Sequence, residues 1–233
     1  MTNALSLGAY YELAKPRMVY ANVLVAAAAF HFGSHGAFDV LTFALTLAGL
    51  GLVIASGCVF NNYYDRGIDA AMERTRCRAL PMGSVPAKYA LVWGTALLLF
   101  GIALLAFTNI ATLAVAMAGW VAYVLLYTPI KHRSAHALFV GAIAGATPPM
   151  VGYAAAHGTL DMLAFTLFAF LFLWQLPHFV AISIYRGEEY KAAGVPMYTK
   201  GPFSDKQKRQ AELVFRLSLV VLLLGCVALV ALA

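Results

Sequence analysis

Residues 41–60 read LTFALTLAGLGLVIASGCVF and lead directly into residues 61–83, NNYYDRGIDAAMERTRCRALPMG. The first stretch contains no charged residue, and a helix needs roughly 20 apolar residues to cross a bilayer. The second stretch contains acids and several arginines. This junction predicts a membrane helix that carries a polar cluster at its end.

The composition of the whole chain is typical of a membrane protein. Of its 233 residues, 62% are hydrophobic and 11% are charged, whereas soluble domains are about 45–50% apolar and about 25% charged. The apolar stretches predict an all-α polytopic bundle of seven spans in a single domain, residues 1–233. The predicted spans are 18–38, 41–60, 88–107, 110–127, 136–156, 161–185 and 211–232.

The basic residues predict the orientation of this bundle. In the seven-span arrangement every Lys and Arg lies on one side of the membrane or at its edge there. The positive-inside rule makes that side cytoplasmic and places the N-terminus inside. The net charge of +6 then reflects topology and an anionic leaflet or substrate, so no nucleic-acid partner is expected.

A row of polar side chains predicts a site for a metal-bound phosphate ester. Asn61, Asp65 and Asp69 are spaced four residues apart, so on a helix they share one face. Mg²⁺ favours one or two carboxylates together with substrate phosphates. Arg74, Arg76 and Arg78 follow, and guanidinium groups bind phosphate oxygens through paired hydrogen bonds. The combination indicates a diphosphate ester whose apolar tail lies in the membrane.

The alternative is an ordinary loop beside the membrane, in which the arginines are topology signals and the acids are their solvated partners. Acids at a membrane edge nevertheless favour a functional interpretation, because they are expensive to keep there.

The pattern NNxxDxxxD followed by ERTxxRxL, residues 61–80, resembles the first signature of the UbiA superfamily of membrane prenyltransferases. Three further stretches resemble its haem branch, the protohaem IX farnesyltransferases (haem O synthases). They are YTPIKHRS at 127–134, GATPPMVGY at 145–153 and FLWQLPHFVAISIYRGEEYKAAGVPM at 172–197.

The resemblance implies a helical bundle that opens to the cytoplasmic (matrix) side of a bacterial or mitochondrial inner membrane. It implies transfer of the farnesyl group of farnesyl diphosphate to haem B, with Mg²⁺, to give haem O. A haem A synthase or an oxidase assembly protein would be a partner through the pathway. The family usually has nine spans, so this chain would lack the last two family helices.

The resemblance also implies roles by motif position. Asn61, Asp65 and Asp69 would hold Mg²⁺ on the diphosphate. The catalytic residues would be Asp65, Asp69 and Lys131. The residues that bind the substrates would be Asn61, Arg74, Arg78, Lys131, Arg133, Gln175, His178, Glu188 and Glu189.

Two of these assignments leave alternatives open. His178 would face the haem as an iron ligand or a hydrogen-bond donor, or it would bond a backbone carbonyl freed by Pro177. Glu188 and Glu189 lie where other relatives have an aspartate-rich motif, and they would either form a second metal edge or have no metal role.

Other functions are also compatible with the sequence. The acceptor would then be another aromatic molecule, such as a quinone precursor or chlorophyllide. A transporter or membrane scaffold is a third hypothesis, but transporters bind substrate near mid-bilayer, whereas the polar groups here gather at the cytoplasmic edge.

Overall fold

The structure is a computed structural model that describes residues 7–199 and 201–233. These residues form helices joined by turns, which confirms the all-α class. A π-helical segment, Ala122–Tyr127, joins α5 to α6. The helices are α1 (Leu7–Leu13), α2 (Pro16–Gly33), α3 (Val40–Ala71), α4 (Ala87–Ala106), α5 (Ile110–Val121), α6 (Thr128–Ile130), α7 (Ala137–Gly145), α8 (Thr147–His157), α9 (Met162–Tyr185), α10 (Gly187–Ala192) and α11 (Asp205–Ala231).

Within the described residues, 6 helical stretches are long and apolar enough to cross a membrane. They correspond to the second through seventh predicted spans. The first predicted span forms α2, which lies outside this set and has Pro16 and Arg17 in its first turn. The seventh crossing and the side on which the N-terminus lies therefore stay predictions. The stretches are Val40–Ala71, Ala87–Ala106, Ile110–Ile130, Ala137–His157, Met162–Tyr185 and Asp205–Ala231.

Helix α3 extends well beyond the apolar stretch that predicted it. It begins at its N-cap Asp39, whose carboxylate accepts from the Leu41 N–H at 3.0 Å, and it continues without a break to Ala71. Gly67 lies inside the helix and does not end it, although glycine costs about 1 kcal/mol relative to alanine in a helix. The whole acid row therefore projects from one continuous helix.

Small residues bring the helices into backbone contact. A Cβ atom added to Gly152 of α8 would lie 2.0 Å from the Ala26 carbonyl oxygen of α2, and one added to Gly101 of α4 would lie 2.9 Å from the Gly49 oxygen of α3. In lipid such residues allow the close packing that holds helices together. The bundle is therefore built on two glycine-mediated contacts, α2 with α8 and α3 with α4.

Helix α8 lies at the centre of the bundle and α11 lies at its edge. In an 18-residue apolar part of Ala137–His157, 72% of the residues are buried, whereas in the corresponding part of Asp205–Ala231 the share is 6%. This central stretch is divided at Ala146, where α7 ends and α8 begins, and Pro148 and Pro149 follow in the first turn of α8. Proline is tolerated there because the first turn of a helix has no internal acceptor for its N–H groups.

Candidate active site

The acid row lines a cavity of about 280 Å³ where α3 ends. Asn61, Asp65 and Asp69 are 2%, 7% and 5% exposed, so all three are buried against this cavity. Arg74, Arg78 and Lys131 line the same cavity. The structure thus brings together six of the residues that the sequence singled out.

The short loop after α6 reaches the first acid. Lys131 Nζ donates to Asp65 Oδ2, and His132 Nε2 lies 3.1 Å from Asp65 Oδ1. Both oxygens of this carboxylate therefore face a nitrogen of the loop. Sequence reasoning assigned no role to His132, although its position between two basic residues could have suggested one.

The turn after α3 folds back onto the second acid. Thr75 is 1% exposed, and its hydroxyl donates to the backbone oxygen of Asp69 at 3.0 Å. This bond turns the chain so that Arg78 Nη1 donates to Asp69 Oδ2 at 2.8 Å. The threonine and the second arginine of the ERTxxRxL motif therefore act as one local unit, in which the first fixes the turn that delivers the second.

The Asn61 amide is oriented by a chain of hydrogen bonds. Its Nδ2 donates to Thr128 Oγ1 at 3.0 Å, and Thr128 Oγ1 donates to the Tyr123 carbonyl oxygen at 2.8 Å. Because a hydroxyl has a single hydrogen, Thr128 can only accept from Asn61. Lys15 Nζ donates to Asn61 Oδ1 at 2.5 Å, so the amide oxygen is turned toward the cavity.

Lys15 is a cavity residue that sequence reasoning did not assign. It lies between α1 and α2, and desolvation lowers the pKa of its ammonium to about 8. The signal that could have found it is its place at the start of the family-like stretch Lys15-Pro16-Arg17.

Cations outnumber acids in the cavity wall. Asp65 and Asp69 are its carboxylates, and its cations are Lys15, Arg74, Arg78 and Lys131. Such a wall attracts a ligand that carries several negative charges. The surplus favours a diphosphate over a neutral or cationic ligand.

Three predicted residues lie outside the cavity wall. Arg133 is exposed, and Glu188 pairs with Lys208 at 2.7 Å on the exterior. Glu189 lies 3.6 Å from the cavity residue Arg74, and its Oε1 is fully buried without a hydrogen-bond partner in the part of the chain that the structure describes. The described residues thus place Glu189 behind an arginine of the cavity.

A second, apolar chamber of about 380 Å³ lies deeper in the bundle. Tyr123, Tyr127 and Phe179 line both spaces. The two tyrosine rings stack with centroids 5.6 Å apart at 14°, and both belong to the π-helical segment, a feature frequent at functional sites. Aromatic rings therefore form the boundary between the polar cavity and the apolar chamber.

Gln175 and His178 line the apolar chamber and not the polar cavity. Gln175 is 6% exposed, and its Nε2 donates to the Leu171 oxygen at 3.1 Å. His178 Nδ1 lies 2.8 Å from Ser218 Oγ of α11. The hydrogen-bond partner of His178 is thus a side chain of the neighbouring helix and not a carbonyl freed by Pro177.

The donor set of the polar cavity fits Mg²⁺. No group of three or more His, Cys, Asp or Glu residues in the described ranges could hold a metal by itself. The cavity instead offers the carboxylates of Asp65 and Asp69 and the amide oxygen of Asn61. Mg²⁺ is commonly bound in this way, by one or two carboxylates that leave places for substrate phosphates and water.

Comparison with known proteins identifies the family. The sequence model of the UbiA prenyltransferase family matches residues 18–233. The chain belongs to this family. Protoheme IX farnesyltransferase 2 of Shewanella loihica is 42% identical over 221 residues, which are 94% of this chain and 71% of the relative. Protoheme IX farnesyltransferase of Protochlamydia amoebophila is 43% identical over 189 residues, which are 81% of this chain and 67% of the relative.

Solved structures of the UbiA family share the fold. A UbiA homolog from Archaeoglobus fulgidus, bound to DMAPP and Mg²⁺, superposes with a TM-score of 0.72 at 15% identity over 92% of this chain and 86% of that one. A UbiA homolog from Aeropyrum pernix superposes with a TM-score of 0.70 at 19% identity over 93% of this chain and 80% of that one. These likenesses concern the fold. The match to the UbiA prenyltransferase family and the relatives named protoheme IX farnesyltransferase make the protein an integral membrane prenyltransferase, so the transporter and scaffold hypotheses are wrong.

Proposed function

We propose that the protein transfers the farnesyl group of farnesyl diphosphate to a vinyl group of haem B, with addition of water, to give haem O and diphosphate. The observation that carries this proposal is a cation-rich cavity with an acid row that adjoins an apolar chamber, with aromatic rings at the boundary between them. The choice of haem as acceptor is supported by relatives that are named protoheme IX farnesyltransferase at 42% and 43% identity.

The diphosphate occupies the polar cavity in this proposal. Asn61, Asp65 and Asp69 hold Mg²⁺, which, when bound, neutralises charge on the diphosphate. Lys131 and Arg78 pair with the two acids in this structure. When the carboxylates bind the metal, both cations can turn their N–H groups to the phosphate oxygens. In the absence of substrate the ion pairs therefore balance the charge of the two buried acids.

The cations of the cavity act on the leaving group. As the bond between C1 of the farnesyl chain and the phosphate oxygen breaks, the electron pair leaves with the diphosphate. Lys15, Arg74 and Lys131 stabilise this developing charge, and preorganised donors of this kind contribute strongly to catalysis. The farnesyl tail extends into the apolar chamber.

The apolar chamber protects the allylic cation. The haem vinyl group supplies its π electrons to C1 of the farnesyl cation, and a new carbon–carbon bond forms. Water then adds to the remaining cation beside the porphyrin ring and loses a proton to solvent, which leaves the hydroxyl group of haem O. Residues such as Phe179 at the boundary exclude water until the carbon–carbon bond has formed.

We also propose that the protein lies in the inner membrane of a bacterium or a mitochondrion and that its polar cavity opens on the cytoplasmic or matrix side. The cavity lies at the bundle end where the basic residues gather, and the positive-inside rule favours that side. The two protoheme IX farnesyltransferases compared above come from bacteria. A haem A synthase or an oxidase assembly protein stays a prediction from the pathway.

A turnover experiment tests the reaction. The protein in detergent is incubated with haem B, farnesyl diphosphate and Mg²⁺, and haem O is detected by mass. Asp65→Asn removes a carboxylate from the cavity and should lower the rate by about 100-fold or more; chelation of Mg²⁺ should have the same effect. Asp205→Asn, in the exposed first turn of α11, is the matched control and should keep the wild-type rate.

Two results would contradict the proposal. Equal rates for Asp65→Asn and the wild type would remove the acid row from the mechanism. Prenylation of a quinone precursor or chlorophyllide, with haem B left unchanged, would replace the acceptor while keeping the prenyltransferase class.

A further inference from the structure

One serine links α11 to the histidine of the apolar chamber. Ser218 Oγ donates to the Phe215 carbonyl oxygen at 2.7 Å, and His178 Nδ1 lies 2.8 Å from the same Oγ. A serine hydroxyl has one hydrogen, and here that hydrogen is donated to the carbonyl oxygen of Phe215. Ser218 can therefore only accept from His178, so the Nδ1 atom carries a proton.

The protonation of Nδ1 decides what the other ring nitrogen can do. A neutral imidazole with its proton on Nδ1 has a lone pair on Nε2. Among the described residues that line the chamber there is no Asp, Glu, Lys or Arg, so no carboxylate lies at the chamber wall to stabilise an imidazolium. The Nε2 atom is thus an acceptor or a metal ligand, and it cannot be a hydrogen-bond donor.

The Nε2 atom is also accessible. No hydrogen bond to it is present among residues 7–199 and 201–233, and in those ranges Glu189 Oε1 is the only fully buried side-chain polar atom without a partner. The Nε2 atom therefore retains contact with open space. His178 also lines the apolar chamber, so an apolar ligand in the chamber contacts its side chain.

Aromatic neighbours hold the ring in this orientation. The His178 ring stacks on Trp174 with centroids 5.2 Å apart at 25°, and the Phe215 ring lies 4.6 Å away. Trp174 Nε1 donates to the Ser218 backbone oxygen at 3.0 Å. The same serine thus anchors both the imidazole and the indole on which it stacks.

We propose that His178 Nε2 is an axial ligand of the haem iron and that Ser218 is the positioning residue that makes it one. This inference rests on the proposed function, since it takes haem B as the acceptor. Histidines that ligate metals almost always donate their other N–H to an outer partner, which fixes the tautomer and the ring orientation. The Ser218 hydroxyl, itself bonded to the Phe215 carbonyl, is that partner here. Of the two haem-facing roles open from the sequence, this selects the ligand over the hydrogen-bond donor.

The test compares haem B with metal-free protoporphyrin IX, which has the same shape but no iron to ligate. The protein in detergent is titrated with each porphyrin, and resonance Raman spectra of the ferrous haem complex report the iron–histidine bond. The variants are His178→Ala, Ser218→Ala and Ser218→Thr. Thr166→Ala of α9 is the matched control, because Thr166 is exposed and its hydroxyl also donates to a backbone carbonyl, that of Met162 at 2.8 Å.

The inference predicts a result specific to iron. His178→Ala should abolish the iron–histidine signal. Ser218→Ala should weaken haem B binding by about 10- to 100-fold, the usual cost of losing an outer partner of a metal ligand, while binding of protoporphyrin IX stays unchanged. Ser218→Thr, which keeps the hydroxyl, should restore haem binding, and Thr166→Ala should match the wild type.

Three results would overturn the inference. The first is an iron–histidine signal that persists in His178→Ala, or that is absent from the wild type. The second is an equal loss of both porphyrins in Ser218→Ala, which would mean that the serine only supports the packing of α9 and α11. The third is unchanged haem affinity in Ser218→Ala.

Haem O measured in the same samples separates this inference from the proposed function. Formation of haem O without a signal that depends on His178 would overturn the ligand and leave the reaction standing. A signal that depends on His178, with no haem O from the wild type, would support the ligand and count against the reaction.

Discussion

The orientation of Asn61 gives a prediction whose size follows from the structure. Thr128 is fully buried, Asn61 is 2% exposed, and the hydroxyl of Thr128 is the partner of the Asn61 NH₂ group at 3.0 Å. Thr128→Val keeps the volume of the side chain but removes this acceptor. The amide must then leave its NH₂ group unsatisfied or turn it toward the ammonium of Lys15, which is also a donor.

The energetic cost of this change sets the expected effect. A buried polar group without a partner costs about 1–3 kcal/mol, and each 1.4 kcal/mol corresponds to about tenfold in a binding constant. This cost should appear as weaker binding of Mg²⁺, because Asn61 no longer presents its amide oxygen to the cavity. The Mg²⁺ concentration for half-maximal activity should therefore rise by at least about fivefold. Thr128→Ser should restore it, because it keeps the hydroxyl.

The assay is a Mg²⁺ titration of haem O formation, together with thermal unfolding of each variant in detergent. Thr46→Val is the matched control: Thr46 is buried on α3, the helix of Asn61, and its hydroxyl donates to the Thr42 carbonyl at 2.7 Å. It removes a buried hydroxyl without touching the cavity. An unchanged Mg²⁺ requirement in Thr128→Val, or an equal shift in Thr46→Val, would refute the reasoning.

Two further predictions concern the leaving group and the packing of the bundle. Lys131→Met removes the cation that pairs with Asp65 and should lower the rate of haem O formation by about 100- to 1,000-fold. Lys206→Met, at an exposed position of α11, is the control and should keep the wild-type rate. Equal rates for Lys131→Met and the wild type would exclude Lys131 from catalysis. Gly152→Ala places a Cβ 2.0 Å from a backbone oxygen of α2 and should destabilise the protein by about 1–3 kcal/mol, seen as a lower melting temperature. Gly225→Ala, which meets nothing within 4 Å, is its control, and matching melting temperatures would contradict the close contact.

The acid row could be predicted because it is a local property of one helix. Asn61, Asp65 and Asp69 share a face wherever α3 is helical, since the spacing of four residues nearly equals one helical turn. The arginine that reaches Asp69 is also local, because it lies nine residues further along the chain, in a turn fixed by Thr75. A pattern of this kind is visible without knowledge of the fold.

Sequence alone could not place the two glutamates of α10. Their acidity favoured a metal edge, but Glu188 pairs outside the cavity and Glu189 lies behind Arg74. A charge pattern in the sequence indicates which kinds of partner a side chain could bind. It does not indicate which of these partners the fold brings near. The same limit explains why Lys15 and His132 received no role.

By itself, the sequence determined that the protein is a helical membrane bundle, because long uncharged stretches can satisfy their backbone groups in lipid as helices. It also determined the face on which the acid row lies. Only the tertiary structure decided the partners across the bundle: Lys131 reaches Asp65 over 66 residues of chain, and Ser218 reaches His178 over 40. Such contacts depend on which helices pack together, and glycine contacts such as Gly152 against α2 set that arrangement. The tautomer of His178 follows from one of these distant contacts, so no local pattern could have revealed it.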